Sequence, residues 1–134
     1  MSCEPTNDPI LYAVGDTYPL HFGITDAYSG LAYNLTGITA AWFIVKAALA
    51  DPDASAVISR TLGSGVTVID ATGSTTAGAQ SILAAAPTLA ESQALVAGTS
   101  YFAFLRIKTA ANEILTVFAG LRFVATQANP LGLS

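Results

Sequence analysis

The sequence predicts an all-β protein, an antiparallel β-sandwich of about seven or eight strands with one short helical turn. Apolar residues recur at every second position in several short segments, which is the period of a strand with one buried face. Glycine-rich or polar turns separate these segments, and a single segment carries helix signals. The chain of 134 residues suits one domain, because such a chain buries roughly two-thirds of its unfolded surface.

The first two predicted strands cover residues 18–24 and 38–46, where apolar residues occupy alternate positions. In this phase Phe22 of the first strand and Trp42 and Ile44 of the second point inward. A large aromatic residue on the inward phase of a central strand is what a sandwich core requires. We therefore expect Phe22, Trp42 and Ile44 to be core anchors.

Further strands are predicted after the loop at 47–55, in which Asp51-Pro52-Asp53 favours turn conformations. Short glycine-bearing or polar turns separate them. These strands cover residues 56–62, 66–70, 77–84, 100–109 and 114–125.

The strand at 100–109 alternates clearly between two faces. Leu105 and Ile107 fall on the apolar face, and we expect both to be core anchors. Phe102 and Phe104 fall on the opposite face, where they are exposed unless a partner covers them. We therefore treat Phe102 and Phe104 as candidate assembly contacts.

Pro87 and Gly98 predict helical turns within residues 87–97, because proline favours the first helical position and glycine the position after the end. Residues 1–14 and 127–134 contain prolines and few apolar residues, so we expect extended terminal arms around a sandwich domain at 15–126. The first arm is expected to end in a short strand. The arms supply further assembly candidates, namely Ile10, Leu11, Tyr12 and Leu131.

The surface is expected to be poor in charge. Apolar residues make up 52% of the chain and charged residues only 10%, against about 25% charged in ordinary soluble domains. One interpretation is a neutral surface rich in Ser, Thr and Ala that needs no partner. The other is a surface largely covered in an assembly, because monomers normally keep exposed apolar patches small.

No catalytic, metal or cofactor site is expected. His21 is the single histidine, and no Gly-x-Ser-x-Gly motif accompanies it. Asp51 and Asp53 form the one close acidic pair, and they suit a turn better than calcium, which needs about six or more oxygen ligands. Cys3 is alone, so it is either a reduced thiol or part of a disulfide between subunits.

Neither nucleic acid nor membrane is an expected partner. The chain has 5 Lys and Arg residues and a net charge of −4, whereas a surface that follows phosphates needs a dense basic cluster. No segment approaches the roughly 20 apolar residues that span a bilayer. The first residues are acidic and contain no apolar segment, so we expect no signal peptide and synthesis in a cytoplasm.

Several motifs follow one another in an order that resembles a known family. Gly15-Asp16-Thr17 precedes the first alternating segment, Asn-Leu-Thr-Gly stands at 34–37, and an aromatic-bearing strand ends in Val45-Lys46. This order resembles the small β-sandwich modules of tailed-bacteriophage virion proteins, including the N-terminal domain of baseplate upper proteins. The later predicted strands follow in the same order, so the resemblance covers residues 15–126.

The resemblance implies an immunoglobulin-like sandwich that acts as a non-enzymatic structural subunit of a virion. It implies a place in the tail or baseplate, with other virion proteins and copies of the chain as partners, after synthesis in the bacterial cytoplasm. A capsid decoration or cement protein is an alternative. An alternative of another class is a receptor- or glycan-binding module, with Tyr28, Tyr33 and the loop at 51–53 as candidate contacts.

Overall fold

The computed structural model describes residues 9–26, 32–72 and 80–127. Strands make up most of this part of the chain, so the predicted all-β class is confirmed. The strands are β1 (Ile10–Ala13), β2 (Leu20–Ile24), β3 (Ala40–Lys46), β4 (Ile58–Leu62), β5 (Gly65–Asp70), β6 (Ser81–Ala85), β7 (Ser100–Lys108) and β8 (Ile114–Thr126). A short helix α1 (Leu89–Gln93) and a 3₁₀ turn at Asp53–Ser55 complete the elements. Over the described ranges, no helix is long and apolar enough to cross a membrane.

The strands form one mixed sheet of eight strands in the order β1-β8-β7-β3-β4-β5-β6-β2. The expectation of a wholly antiparallel arrangement is wrong, because β1 pairs with β8 and β4 pairs with β5 in parallel. Gly63 and Gly65 adopt φ of +83° and +101°, a left-handed conformation that favours glycine. The chain makes a tight loop at these two glycines, and β5 then runs in the same direction as β4. The two strands are joined by only two residue pairs.

The sheet curls so that its two halves enclose the core. Phe22 lies on β2, at one edge of the sheet, and its ring centroid is 5.6 Å from that of Phe43 and 5.2 Å from that of Phe118. Phe43 and Phe118 belong to β3 and β8 in the other half. Phe22 is half-buried and packs against the core, as a core anchor should. These contacts across the curl bury apolar surface, which is the main favourable contribution to folding.

The inward phase of β7 is confirmed, whereas the predicted inward phase of β3 is wrong. Leu105 and Ile107 are fully buried. In β3 the buried residues are Ala41, Phe43 and Val45, and the expected anchors Trp42 and Ile44 are half-buried on the opposite face. Every position of 40–45 is apolar, so alternation along β3 could not indicate which face lies inside.

Strand β1 belongs to the sheet, although the predicted domain boundary places it in an arm. Tyr12 is fully buried in the core, so the expectation that it is an assembly contact is wrong. Ile10 is half-buried against the same core, while Leu11 points outward and is 61% exposed. The assembly candidate Leu131 and the lone Cys3 lie outside the described residues.

Candidate functional site: an apolar pocket on the outer face

The outer face of the β3–β7 pair is apolar and aromatic. Trp42 lies opposite Arg106 across the two strands, and Ile44 lies opposite Phe104. Because directly opposite residues of an antiparallel pair point to the same side of the sheet, all four share the outer face. Phe104 is therefore on the non-core face, as its alternation predicted, and so is Phe102, which lies opposite Lys46.

A pocket of about 150 Å³ opens on this face, and we call it the outer-face pocket. Its volume is below the roughly 300–1,000 Å³ of sites for drug-sized ligands. It therefore suits a single ring or one side chain of a partner. Its lining residues are Trp42, Ile44, Asp53, Phe104, Arg106 and Ile114.

Lys46 holds the 3₁₀ turn at the side of this pocket. Its Nζ lies 2.7 Å from Asp53 Oδ1, donates to the backbone oxygen of Asp51 at 2.9 Å, and stands 4.7 Å from the centroid of the Phe104 ring. The hydrogen bond from Lys46 lowers the pKa of the Asp53 carboxyl, with a smaller contribution from Arg106. Lys46 is only 8% exposed, and a buried charge destabilises a fold unless it is paired. The contacts with Asp53 and with the backbone of Asp51 provide this pairing.

The loop before this turn is also anchored to the sheet. The Asp51 carboxylate accepts a hydrogen bond from the backbone N–H of Ala48 at 3.2 Å, which is the turn role expected for it. Leu49 packs against Gly120 of β8, where an added Cβ would lie 2.8 Å from Leu49 Cδ2. Gly120 has φ of +77° and sits where the β7–β8 register shifts, so a bulge and the absence of a side chain both make room for the loop.

The pocket carries a second positive charge, that of Arg106, which contributes to lowering the pKa of Asp53. Lys46 and Asp53 neutralise each other, whereas Arg106 is exposed and forms no ion pair or hydrogen bond with any residue that the structure describes. The indole N–H of Trp42 also has no hydrogen-bond acceptor within the described ranges. The chemistry available for binding is thus an apolar wall, two hydrogen-bond donors and an exposed carboxylate.

The other residues considered from the sequence lie away from this pocket. His21 is exposed on β2, and Tyr33 packs against the core. Tyr28 lies outside the described residues. In the described part of the chain, no group of three or more His, Cys, Asp or Glu side chains is placed to hold a metal ion.

Sequence reasoning identified part of the pocket. Phe104 was named as an outward aromatic, and the loop at 51–53 as a possible contact. The places of Trp42 and Ile44 were missed because their phase was assigned wrongly. Ile114 was missed because only the pairing of β8 with β7, in which Ile114 lies opposite Lys108, places it on this face. The signal that could have found Trp42 is cross-strand pairing with Arg106, a charged residue that must face outward.

Comparisons with models of protein families, with curated proteins and with solved structures found no match to this chain.

Proposed function

We propose that this protein is a non-enzymatic structural subunit of a tailed-phage virion. The observation that carries the proposal is an apolar, aromatic pocket on the outer face of a sheet in a chain with only 10% charged residues. Uncovered apolar surface of this kind typically marks a protein–protein contact. Beyond the pocket, other large apolar side chains are exposed on the described surface, namely Leu11, Leu49, Ile69, Leu89 and Val96.

The order of sequence motifs supports a more specific form of this proposal. Gly15-Asp16-Thr17 and the corner at 34–37 resemble those of baseplate sandwich modules. We therefore propose an immunoglobulin-like arrangement of the curled sheet and a place in the tail or baseplate, with capsid decoration as the alternative. Its partners are other virion proteins and copies of itself, and it reaches the virion after synthesis in the bacterial cytoplasm.

The test is incorporation into particles of a phage that encodes the chain. The chain should co-purify with intact particles, and its density should lie in the tail or baseplate in an electron-microscopy map. Ile114→Asp should reduce incorporation, because it puts a charge at the pocket. Ile69→Asp is the matched control, since Ile69 is similarly exposed, 54% against 62%, on a strand that does not line the pocket. Particles that lack the chain contradict the proposal.

A glycan-binding module is the second candidate, and the composition of the pocket favours it over an enzyme. The aromatic face of Trp42 can stack on a sugar ring, while Arg106 can donate and Asp53 accept hydrogen bonds. Trp42 is the single tryptophan, so its fluorescence reports directly on occupancy of the pocket. A saturable change with a host surface polysaccharide, lost in Arg106→Gln, would favour this candidate, and no change would remove it.

A further inference from the structure

Most of the basic residues of the chain lie on the outer face of the sheet. Directly opposite residues of an antiparallel pair point to the same side. The pairing of β3 with β7 and of β7 with β8 therefore places four basic side chains on the face that carries the outer-face pocket, namely Lys46, Arg106, Lys108 and Arg122. The chain has only 5 Lys and Arg residues and a net charge of −4. The outer face is thus basic although the chain as a whole is acidic, and it favours an anionic ligand.

The pocket has different chemistry at its two ends. At one end the Asp53 carboxylate forms an ion pair with Lys46 at 2.7 Å, so this end offers a hydrogen-bond acceptor with little net charge. Along β7, Lys108 lies six residues beyond the position opposite Lys46, and it is itself opposite Ile114 of the pocket lining. Arg106 lines the pocket between these ends, and it interacts electrostatically with Asp53 without forming an ion pair. The end near Lys108 is therefore the positive one.

Between its ends the pocket is apolar and has room for one ring. Its walls are Trp42, Ile44 and Phe104, and its volume is about 150 Å³. The face of an aromatic side chain packs against the C–H groups of a sugar ring and leaves the hydroxyls at the edge of the ring free to bond. A sugar that also carries a carboxylate matches the whole pocket, because its hydroxyls suit the acceptor Asp53 and its charge suits the positive end. A zwitterion matches less well, since Lys46 already balances the charge of Asp53.

We propose that the outer-face pocket binds one hexuronate unit of an acidic polysaccharide. The sugar ring packs on Trp42, its carboxylate accepts hydrogen bonds from Arg106, and a ring hydroxyl donates to Asp53. Arginine suits this carboxylate because charge-assisted hydrogen bonds to it form in pairs. The inference rests on the glycan-binding candidate and deepens it, since it names the class of sugar. An acidic peptide supplies a carboxylate without ring hydroxyls, so it should bind less well.

The experiment titrates the full chain with trisaccharides of galacturonate, of glucuronate and of mannuronate, and follows binding by calorimetry and by the fluorescence of Trp42, the single tryptophan. At least one of these acids should bind saturably and change the fluorescence over the same concentration range. The methyl ester of that trisaccharide keeps the rings and hydroxyls but lacks the charge. It should bind at least about tenfold more weakly, because the charge-assisted contact is lost. Triglutamate serves as the acidic peptide, and it should bind no better than the ester.

Two variants separate a contact in the pocket from the general charge of the face. Arg106→Gln should weaken binding of the acid at least about tenfold and leave the weak binding of the ester unchanged. Arg122→Gln is the matched control, because it removes the same charge from the same face. Arg122 is bound to Ser100 Oγ at 3.2 Å and does not line the pocket, so this variant should bind the acid like the parent. Both arginines are exposed, and circular dichroism should show that both variants fold.

Four results would overturn the inference. These are no binding of any of the three acids, equal binding of an acid and its ester, equal weakening by Arg106→Gln and Arg122→Gln, or binding of triglutamate as tight as that of the best sugar.

Failure of this inference is distinguishable from failure of the proposed functions. If acid and ester bind equally, the hexuronate assignment is wrong while the glycan-binding candidate stands. If the host surface polysaccharide also leaves the fluorescence unchanged, that candidate fails as well. If the chain binds a hexuronate but is absent from particles, the virion role is wrong while this inference stands.

Discussion

Two adjacent aromatic residues of β3 differ in their environments. Phe43 is fully buried and its ring lies 5.6 Å from that of Phe22, whereas Trp42 is half-buried at the outer-face pocket. A strand with apolar residues on both faces contributes to the core with one face and can contribute to recognition with the other. The cost of losing each ring should therefore differ.

Phe43→Ala should lower the free energy of unfolding by about 3–5 kcal/mol, because it removes a fully buried ring and leaves a cavity. Trp42→Ala should cost much less, since its environment is only partly protein. Denaturant unfolding of both variants at equal concentration provides the measurement. Equal losses for the two would mean that the inward phase of β3 is not the one described.

The fully buried Tyr12 and the exposed Tyr18 form an aromatic pair at the start of the domain. The Tyr12 hydroxyl donates to the backbone oxygen of Tyr18 at 2.7 Å, and the ring centroids are 4.5 Å apart. Burial raises the pKa of Tyr12 well above its ordinary value, with Tyr18 and Asp16 adding to the rise, and burial also raises the pKa of Tyr18. The folded protein therefore resists ionisation of both hydroxyls.

The consequence for stability follows from the sign of this shift. Ionisation of the unfolded chain begins near the ordinary tyrosine pKa of about 10, while the folded chain keeps its proton to higher pH. The stabilising contribution is complete below about pH 10 and is lost as pH rises beyond it. Tyr12→Phe should lower the free energy of unfolding by about 1 kcal/mol at pH 7, because the hydrogen bond to Tyr18 is lost. Between pH 9 and about pH 11 the melting temperature of this variant should fall less than that of the parent, because the variant has no hydroxyl at position 12 to ionise. If the melting temperatures of the two proteins fell by the same amount over this pH range, the prediction would be wrong.

At the scale of elements, helix α1 depends on its contacts with the sheet. It has five residues, too few to be stable alone in water. Thr88 caps it, with Oγ1 accepting from Glu91 N at 3.1 Å and Thr88 N donating to Glu91 Oε1 at 2.9 Å. Glu91 Oε2 also accepts the Ser59 N–H at 3.0 Å, and Oε1 lies 3.4 Å from Arg60 Nε. One carboxylate thus completes the capping box and joins the helix to β4.

Thr88→Ala should destabilise the fold by about 1 kcal/mol, as loss of a helix cap normally does. Glu91→Ala should cost more, because it removes the capping box and the contacts to β4 together. Hydrogen exchange separates the two roles. The Ser59 amide should exchange faster in Glu91→Ala and be little changed in Thr88→Ala, and unchanged exchange in both would show that the link to β4 contributes nothing.

At the scale of the whole molecule, we expect strand β1 and the residues before it to have different roles. Strand β1 contributes Tyr12 to the core and pairs with β8 over four residues. The residues before Pro9 contain no apolar run, so they have little surface to offset the entropy of becoming ordered without a partner. Folding should therefore need β1, and assembly should need the segment before it.

Two truncations test this division. Deletion of residues 1–9 should leave the melting temperature of the isolated domain nearly unchanged and reduce incorporation into particles. Deletion of residues 1–13 should cost at least about 3 kcal/mol, because it removes a fully buried tyrosine together with the parallel pairing of β1. Normal incorporation of the shorter truncation would rule out an assembly role for the segment, and equal stability of the two would rule out a structural role for β1.

The sequence by itself determined the class of the fold, the approximate places of its strands and the two faces of β7. These features are local, because a strand period of two and glycine-bearing turns can be read over a few residues. In β7 the outer face carries Arg106 and Lys108, so alternation there has a single interpretation, and the burial of Leu105 and Ile107 followed from it.

Only the tertiary structure decided the inward phase of β3, the parallel pairing of β1 with β8 and of β4 with β5, and the existence of the outer-face pocket. Each depends on which strands become neighbours and in what register, and a shift of one residue in register reverses the face of every side chain. For the wholly apolar run at 40–45, both phases bury similar surface in the strand itself. Pairing of Phe43 with Leu105 and of Trp42 with Arg106 selects one of them, and it places the tryptophan outside, where it meets Ile114 from a strand far along the chain.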